Sequence, residues 1–249
     1  MLQTIQQYLI AALIFLAAAI STSAAELADK NELYTGPEFA KAFNNPKDHP
    51  ERPNVLLIGD SISIGYTVEV RKQLRGKADV FRITTNGKYS EYGLENLDKW
   101  IGKRHWDVIH FNWGLWDLCY RNPEAKTQGH RDKINGTLTT APEQYRQNME
   151  QIVAKLKATE ATLIWCETTP VPEHEAGRIA GDAIRYNQIA NEIMQENGIT
   201  INALHAHALK GLPEIQKGKG DVHFTAAGYT YLADQVAKVI SAALAVDGE

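Results

Sequence analysis

Two segments far apart in the chain carry side chains that could together perform nucleophilic chemistry. The first, GDSIS at 59–63, follows an apolar run and opens a segment with helical spacing, which predicts Ser61 at a strand-to-helix turn. A serine hydroxyl there can attack a carbonyl carbon, because backbone N–H groups at the helix N-terminus face the charge that develops on the oxygen. The alternative is that the Ser61 hydroxyl only caps the helix.

The second segment, GDVHFTAAGY at 220–229, leads into the last predicted helix. A histidine beside a carboxylate can act as a general base, so Asp221 and His223 are candidates to take the proton of a serine nucleophile. An Asp-x-His pair also occurs in surface loops and in metal sites. A metal site lacks further partners at ligand spacing here, because His205 and His207 lie in a different segment.

The elements that must position these residues follow from the hydrophobic pattern after residue 53. Short continuous apolar runs are typical of strands buried on both faces of a parallel sheet. They occur at 54–58, 80–84, 108–113, 161–166 and 199–204, and alternate with helical spacing at 64–74, 94–101, 145–156, 183–194 and 226–244. This alternation predicts an α/β sandwich, in which ligands bind at the carboxyl ends of the strands. Ser61 is predicted at that edge.

The two motifs, in this order, resemble those of the SGNH, or GDSL-like, hydrolase superfamily over about residues 53–245. The resemblance implies a flavodoxin-like three-layer α/β/α sandwich with a five-stranded parallel sheet. It also implies Ser61 as nucleophile, His223 as general base and Asp221 as the acid that orients the histidine. Asp221 lies two residues before His223, whereas the family commonly has three, so a backbone carbonyl is the alternative partner of the ring.

The same resemblance implies an oxyanion hole. Its expected donors are the backbone amides of Ser61 and Gly87 and a third group from the block GLWD at 114–117. Trp116 stands where the family usually has asparagine, and its indole N–H can donate one hydrogen bond. Asn112 offers an amide instead if the end of the strand is twisted. Alternatively, Trp116 is only a wall and the hole has two donors.

Other polar residues near the predicted site have supporting roles or none. Asp60 and Asp117 are expected to accept hydrogen bonds that brace the turns around the site. Two long connections, 118–141 and 168–181, lie at the ligand edge, where such loops commonly bind ligands, although both could be solvated excursions. Nine side chains there could shape a sugar or acyl pocket or simply pack: Tyr89, Trp113, Tyr120, Arg121, His130, Arg131, Glu167, Glu173 and His174.

The N-terminus predicts export. An apolar run from Tyr8 to Ile20 is followed by small polar residues, which is typical of a secretory signal peptide spanning 1–25. A lead-in at 26–52 and a hydrolase domain at 53–249 complete the predicted organisation, and the mature protein is expected in the periplasm or secreted, without stable membrane insertion. No Lys or Arg precedes the run, so an uncleaved N-terminal anchor is the alternative.

Composition limits the partners and cofactors. The 249 residues are 44% hydrophobic and 22% charged, as in an ordinary globular domain, and the net charge of −4 provides no basic field for nucleic acid. We expect no cofactor, because neither a glycine-rich phosphate loop nor a cluster of metal ligands is present. The sequence leaves the oligomeric state open.

The two cysteines, Cys119 and Cys166, follow the third and fourth predicted strands. These strands are neighbours in the sheet that the resemblance implies, which raises the hypothesis of a disulfide. The alternative is a pair of buried thiols.

Together these features predict a serine esterase that hydrolyses short acyl esters, specifically O-acetyl groups of a carbohydrate outside the cytoplasm. The carbohydrate rests on export and on aromatic-rich, polar rim loops. The alternatives are a lysophospholipase or thioesterase that acts on lipid esters, a transferase in which a sugar hydroxyl replaces water, and a carbohydrate-binding module with a decayed site.

Overall fold

The computed structural model describes residues 32–246, in which strands and helices alternate along most of the chain. The strands are β1 (Asn54–Ile58), β2 (Asp79–Arg82), β3 (Val108–Phe111), β4 (Tyr120–Arg121), β5 (Thr137–Leu138), β6 (Thr162–Cys166) and β7 (Thr200–Asn202). The helices are α1 (Ala40–Phe43), α2 (Ser61–Gln73), α3 (Ser90–Ile101), α4 (Pro142–Lys157), α5 (Asp182–Glu196), α6 (Leu204–Gly211) and α7 (Ala226–Val246).

A five-stranded parallel sheet in the order β2-β1-β3-β6-β7 forms the centre of the molecule. Val55 of β1 pairs with Val80 of β2 on one side and with Val108 of β3 on the other. These residues are fully buried or nearly so, because helices cover both faces of the sheet. The predicted α/β sandwich with a five-stranded parallel sheet is confirmed.

The helices form two layers. Helices α2, α6 and α7 pack together on one face, and α3, α4 and α5 pack together on the other. Helices α2 and α7 approach closely at Gly65, where an added Cβ would lie 2.1 Å from a ring carbon of Tyr229. The glycine therefore sets the spacing between the helix that begins at Ser61 and the helix that follows His223.

The structure differs from the predicted elements mainly in the connections. Strand β7 ends at Asn202, and α6 starts at Leu204 within the last predicted apolar run. The connection at 118–141 contains the antiparallel pair β4 and β5. The predicted signal peptide at 1–25 lies outside the described residues. Within residues 32–246, no helix is both long enough and apolar enough to span a membrane.

The disulfide hypothesis is wrong for this structure, since Cys119 and Cys166 are both free and buried. Cys166 ends β6 and faces β7, with its Sγ 3.8 Å from Asn202 Nδ2. The Cys119 thiol instead points to the backbone of Tyr120, 3.7 Å from its carbonyl oxygen. Burial raises the pKa of both thiols.

Candidate active site

The turn between β1 and α2 holds Ser61 as the first residue of the helix. Asp60 is the N-cap, and its Oδ1 accepts a hydrogen bond from Ile62 N at 2.9 Å. Ser63 Oγ donates to the Asp60 carbonyl oxygen at 2.8 Å, which closes the turn. Burial raises the pKa of Asp60. The Ser61 side chain is thus placed on a rigid turn at the carboxyl end of the sheet.

Arg82 braces this turn from the neighbouring strand and was missed in the sequence analysis. Its Nη2 donates to the Gly59 carbonyl oxygen at 2.8 Å and to Ser63 Oγ at 2.9 Å. Its Nη1 donates to the carbonyl oxygens of Ile83 and Thr85. Arg82 is 1% exposed, and burial lowers its pKa to about 9. The available signal was an arginine between two apolar residues, Phe81 and Ile83.

Ser61, His223 and Asp221 form a continuous hydrogen-bonded chain. Ser61 Oγ lies 2.9 Å from His223 Nε2, and His223 Nδ1 lies 2.6 Å from Asp221 Oδ1. Burial opposes ionisation of Asp221, but hydrogen bonds from His223 outweigh it and hold its pKa at about 2. Because the carboxylate is ionised, Nδ1 carries the ring hydrogen and Nε2 is the acceptor that faces the serine hydroxyl.

Tyr34 of the lead-in covers the other face of this histidine. The two rings stack with centroids 4.3 Å apart and an interplanar angle of 20°. Lys217 Nζ lies 3.5 Å from the Tyr34 hydroxyl and ties the ring to the loop that carries His223. The sequence analysis gave the lead-in no part in the site, since it has no periodicity and only the folded chain brings it to His223.

Two of the expected oxyanion donors, Gly87 and Asn112, already donate hydrogen bonds within the protein. Gly87 N donates to the Gly59 carbonyl oxygen at 2.9 Å. An added Cβ at position 87 would lie 2.8 Å from the same oxygen, so glycine is needed for close approach rather than for a free N–H. Asn112 Nδ2 donates to the Cys166 carbonyl oxygen at 2.8 Å and lies 3.3 Å from Thr168 Oγ1.

Ser61 and Trp116 are the remaining members of the expected set, and both line the same cavity. As the first residue of α2, Ser61 has a backbone N–H without an intrahelical acceptor. Trp116 is 3% exposed, and the Arg121 guanidinium lies 4.9 Å from its ring centre. Among residues 32–246, no hydrogen-bond partner of its indole N–H is seen, and the residue lines the cavity.

Asp117 lies behind the cavity, at the start of α3. Its Oδ1 accepts hydrogen bonds from Ser90 N at 2.8 Å and Ser90 Oγ at 2.6 Å. Burial raises its pKa to about 7, although the bonds from Ser90 work in the opposite direction. The carboxylate fixes the N-terminus of the helix that follows the Gly87 loop.

The cavity has a volume of about 640 Å³ and opens between the lead-in, the Ser61 turn and the loop before α7. Of the nine rim residues named from the sequence, Arg131 lines it. Arg178, Lys217 and Lys219 also line it and were not singled out. In the described part of the chain, no three His, Cys, Asp or Glu side chains are arranged to hold a metal ion.

Comparison with known protein families identifies the family to which the chain belongs. The model of the GDSL-like lipase/acylhydrolase family matches residues 57–231, which is more than half of the chain and includes Ser61, Asp221 and His223. The chain belongs to the GDSL-like lipase/acylhydrolase family. As a GDSL-like acylhydrolase it is a carboxylic ester hydrolase, and the lead-in that carries Tyr34 lies outside the matched residues.

Solved structures share the GDSL-like fold at low sequence identity. A lipase/acylhydrolase from Enterococcus faecalis is 17% identical, with a TM-score of 0.62 over 76% of this chain and 96% of its own. The acetyl xylan esterase AlAXEase is 18% identical, with a TM-score of 0.60 over 75% and 99%. Axe2, an acetylxylan esterase from Geobacillus stearothermophilus, is 17% identical, with a TM-score of 0.58 over 76% and 94%. No curated protein matches the chain by sequence.

Proposed function

We propose that this acylhydrolase is a serine esterase that removes short acyl groups, O-acetyl groups foremost, from a carbohydrate outside the cytoplasm. The observation that carries the proposal is the 2.9 Å contact between Ser61 Oγ and His223 Nε2 at the wall of a polar cavity. A catalytically decayed binding module has no need to keep this contact or the Asp221 carboxylate behind it.

The geometry supports acyl transfer in two steps. Ser61 Oγ attacks the ester carbonyl carbon as its proton passes to His223 Nε2, and the resulting imidazolium is stabilised by Asp221. The imidazolium then protonates the leaving alcohol, and the acyl group stays on Ser61. Water attacks the acyl-enzyme with His223 as base, which releases the carboxylic acid and restores the serine hydroxyl.

The negative charge on the tetrahedral intermediate requires donors on the cavity side of Ser61. We assign this role to the Ser61 backbone N–H at the N-terminus of α2 and to the indole N–H of Trp116. Gly87 and Asn112 have no part in it, because their N–H groups are bonded to backbone carbonyl oxygens elsewhere.

The lining of the cavity supports a small acyl group on a polar alcohol. Charged side chains outnumber apolar ones along the walls, which disfavours a long lipid chain. Of the three aromatic rings that line the cavity, Tyr34 is stacked on His223 and Trp116 is buried beside Arg121, whereas Phe39 is partly exposed and offers a surface on which a sugar can stack. Two proteins of the same fold are acetyl xylan esterases by name, which is consistent with this substrate class.

Ester hydrolysis by the purified mature protein tests the proposal directly. We expect release of nitrophenolate from para-nitrophenyl acetate to exceed release from the butyrate and octanoate. Ser61→Ala and His223→Ala should each lower kcat/KM by at least roughly 10³-fold, because either change removes the proton-transfer pair. A preference for octanoate would favour a lipid esterase, and activity that survives Ser61→Ala would contradict the assigned nucleophile.

Export beyond the cytoplasm rests on the apolar run at the N-terminus and needs its own measurement. Expression of the full chain in a bacterium should yield a protein whose N-terminal sequence begins near Glu26 in the periplasmic or culture fraction. A protein that retains residues 1–25 in the membrane fraction would instead indicate an uncleaved anchor.

A further inference from the structure

Two arginines on the cavity wall share a single carboxylate. Arg131 Nη1 lies 2.6 Å from Glu175 Oε1, and Arg178 Nη1 lies 3.0 Å from the same oxygen. The other oxygen of Glu175 accepts a hydrogen bond from Gly177 N at 2.7 Å. One buried carboxylate thus holds two guanidinium groups in place at the cavity that contains Ser61.

Each guanidinium also keeps a donor group free. Arg178 uses Nε for the Leu115 carbonyl oxygen and Nη1 for Glu175, and Arg131 uses Nε for the Gln128 carbonyl oxygen and Nη1 for Glu175. The Nη2 groups of both have no partner among residues 32–246. Arg178 is only 3% exposed, and both side chains line the cavity that contains Ser61. A charged donor in such a position favours an anionic ligand.

The cavity is lined by as many acidic as basic side chains, four of each, so the case for an anionic ligand rests on where the free donor groups lie and not on net charge. Lys217 and Lys219 also line the cavity, on the loop before Asp221. Four acidic residues also line the cavity. Glu32 is bound by Arg121, Asp221 is bound by His223, and Asp60 caps α2. The fourth, Glu38, is exposed.

We propose that Arg131 and Arg178 bind a carboxylate or sulfate group carried by the substrate, which makes the natural substrate an acylated acidic saccharide. The inference rests on the esterase function proposed above and specifies its substrate class. A planar guanidinium binds the two oxygens of such a group side by side, and two guanidinium groups bridged by Glu175 present that geometry in a fixed position. Phe39, which is partly exposed at the cavity, is placed to contact the uncharged part of the sugar.

A matched pair of substrates tests this assignment on the unmodified enzyme. Methyl O-acetyl-glucuronoside and methyl O-acetyl-glucoside differ only in a carboxylate at C6. We expect kcat/KM to be at least about tenfold higher for the glucuronoside, mainly through a lower KM, as a charge-assisted hydrogen bond would give. The preference should shrink as the salt concentration rises. Equal kcat/KM for the two esters would overturn the anion site while leaving the esterase function intact.

Variants locate the recognition on the named side chains. Arg131→Gln should reduce the glucuronoside-to-glucoside ratio by about tenfold, and Arg131→Lys should reduce it less. Lys133→Gln, on the same loop, is the matched control: Lys133 bonds to the Glu173 carbonyl oxygen, does not line the cavity and should leave the ratio unchanged. A ratio that is the same in wild type and Arg131→Gln would contradict the proposal.

Two further measurements distinguish failure of the proposed anion site from failure of the proposed esterase function. Aryl hydrogen succinate carries a carboxylate on its acyl group, and aryl butyrate is its uncharged counterpart. A preference for the succinate, without a preference for the glucuronoside, would contradict an acidic saccharide as the substrate. Calorimetric binding of methyl glucuronoside, but not methyl glucoside, to the Ser61→Ala protein would support the anion site without any turnover. Absence of Ser61-dependent hydrolysis of every ester would contradict the esterase function, whereas loss of the binding difference would contradict the anion site.

Discussion

Asp221 reaches His223 across an unusually short interval of sequence. Its Oδ1 accepts from the backbone N of His223 at 3.0 Å and faces Nδ1 of the same residue at 2.6 Å. A carboxylate that bonds to the backbone two residues on forms a local turn, and that turn brings it under the ring. The two-residue spacing is therefore compatible with an orienting acid, and no backbone carbonyl is needed in its place.

The role of this carboxylate can be measured. Asp221→Asn should lower kcat/KM for para-nitrophenyl acetate by roughly 10²–10³-fold, because an amide can donate to Nδ1 and so favour the wrong tautomer. Asp98, an exposed acid on α3, pairs with Lys155 of α4. Asp98→Asn therefore provides the control and should retain full activity. Less than about threefold loss in Asp221→Asn would indicate that another group orients His223.

At the scale of elements, the lead-in acts as part of the active-site wall. Six of the residues between 32 and 39 line the cavity. Tyr34 is held with a φ of 53°, a left-handed conformation in which non-glycine residues are uncommon. Glu32 is anchored at the same point by both terminal nitrogens of Arg121, at 2.8 and 2.9 Å. The buried ion pair and the stacked ring fix this segment against the catalytic histidine.

Tyr34 is therefore expected to be a positioning residue. Tyr34→Ala should lower kcat by about tenfold with a smaller change in KM, since the His223 ring loses the stacked face that restricts its rotation. Tyr34→Phe keeps the ring and should recover most of kcat. If Tyr34→Phe is as impaired as Tyr34→Ala, then the hydroxyl near Lys217, and not the stacked ring, is what matters.

The close approach of α2 and α7 gives a second prediction for these elements. Gly65→Ala should lower the free energy of unfolding by about 1–3 kcal/mol, because the new Cβ would overlap the Tyr229 ring. Gly218→Ala is the control, since that position has no heavy atom within 4 Å of an added Cβ. Urea unfolding measures both.

A double variant tests the cause of the destabilisation. Tyr229→Leu removes the overlapping ring, so Gly65→Ala should cost less in the Tyr229→Leu background than in the wild type. Strict additivity of the two changes would show that the loss arises elsewhere.

For the whole molecule, ionisation of Asp117 makes the free energy of unfolding depend on pH. Its pKa of about 7 in the folded protein lies above the ordinary value of 3.8 because the group is buried. Between about pH 4 and 7 the folded state keeps this proton while the unfolded state releases it. The free energy of unfolding therefore contains a contribution that falls as the pH rises through that window.

Removing the ionisable group should remove this contribution. The free energy of unfolding of Asp117→Asn, relative to wild type, should rise by on the order of 2–4 kcal/mol between pH 4 and pH 7. Urea titrations at pH 4, 5.5 and 7 measure the difference, with Asp234→Asn as an exposed control that is bonded to Gln73. A difference that does not change with pH would contradict the raised pKa.

The fold of the part of the chain that the structure describes was predicted well, because the hydrophobic pattern identifies each strand and helix locally. The run at 54–58 coincides with β1, and the helices at 145–156 and 183–194 were placed within a few residues of α4 and α5. Errors cluster where apolar runs end: the strand predicted at 80–84 stops at Arg82, and α6 begins inside the run at 199–204. Burial continues past the end of a strand, so composition alone does not locate the boundary.

The sequence by itself determined the serine, the histidine and the aspartate of the candidate site, since the motifs around Ser61 and His223 and their places relative to the strands depend on local pattern. Only the tertiary structure decided which N–H groups remain free and which side chains face the cavity. Gly87 and Asn112 donate to carbonyl oxygens of residues remote in sequence, and Tyr34 reaches His223 from the other end of the chain. A hydrogen-bond donor is available only if no neighbour in space has already taken it, and those neighbours are set by packing.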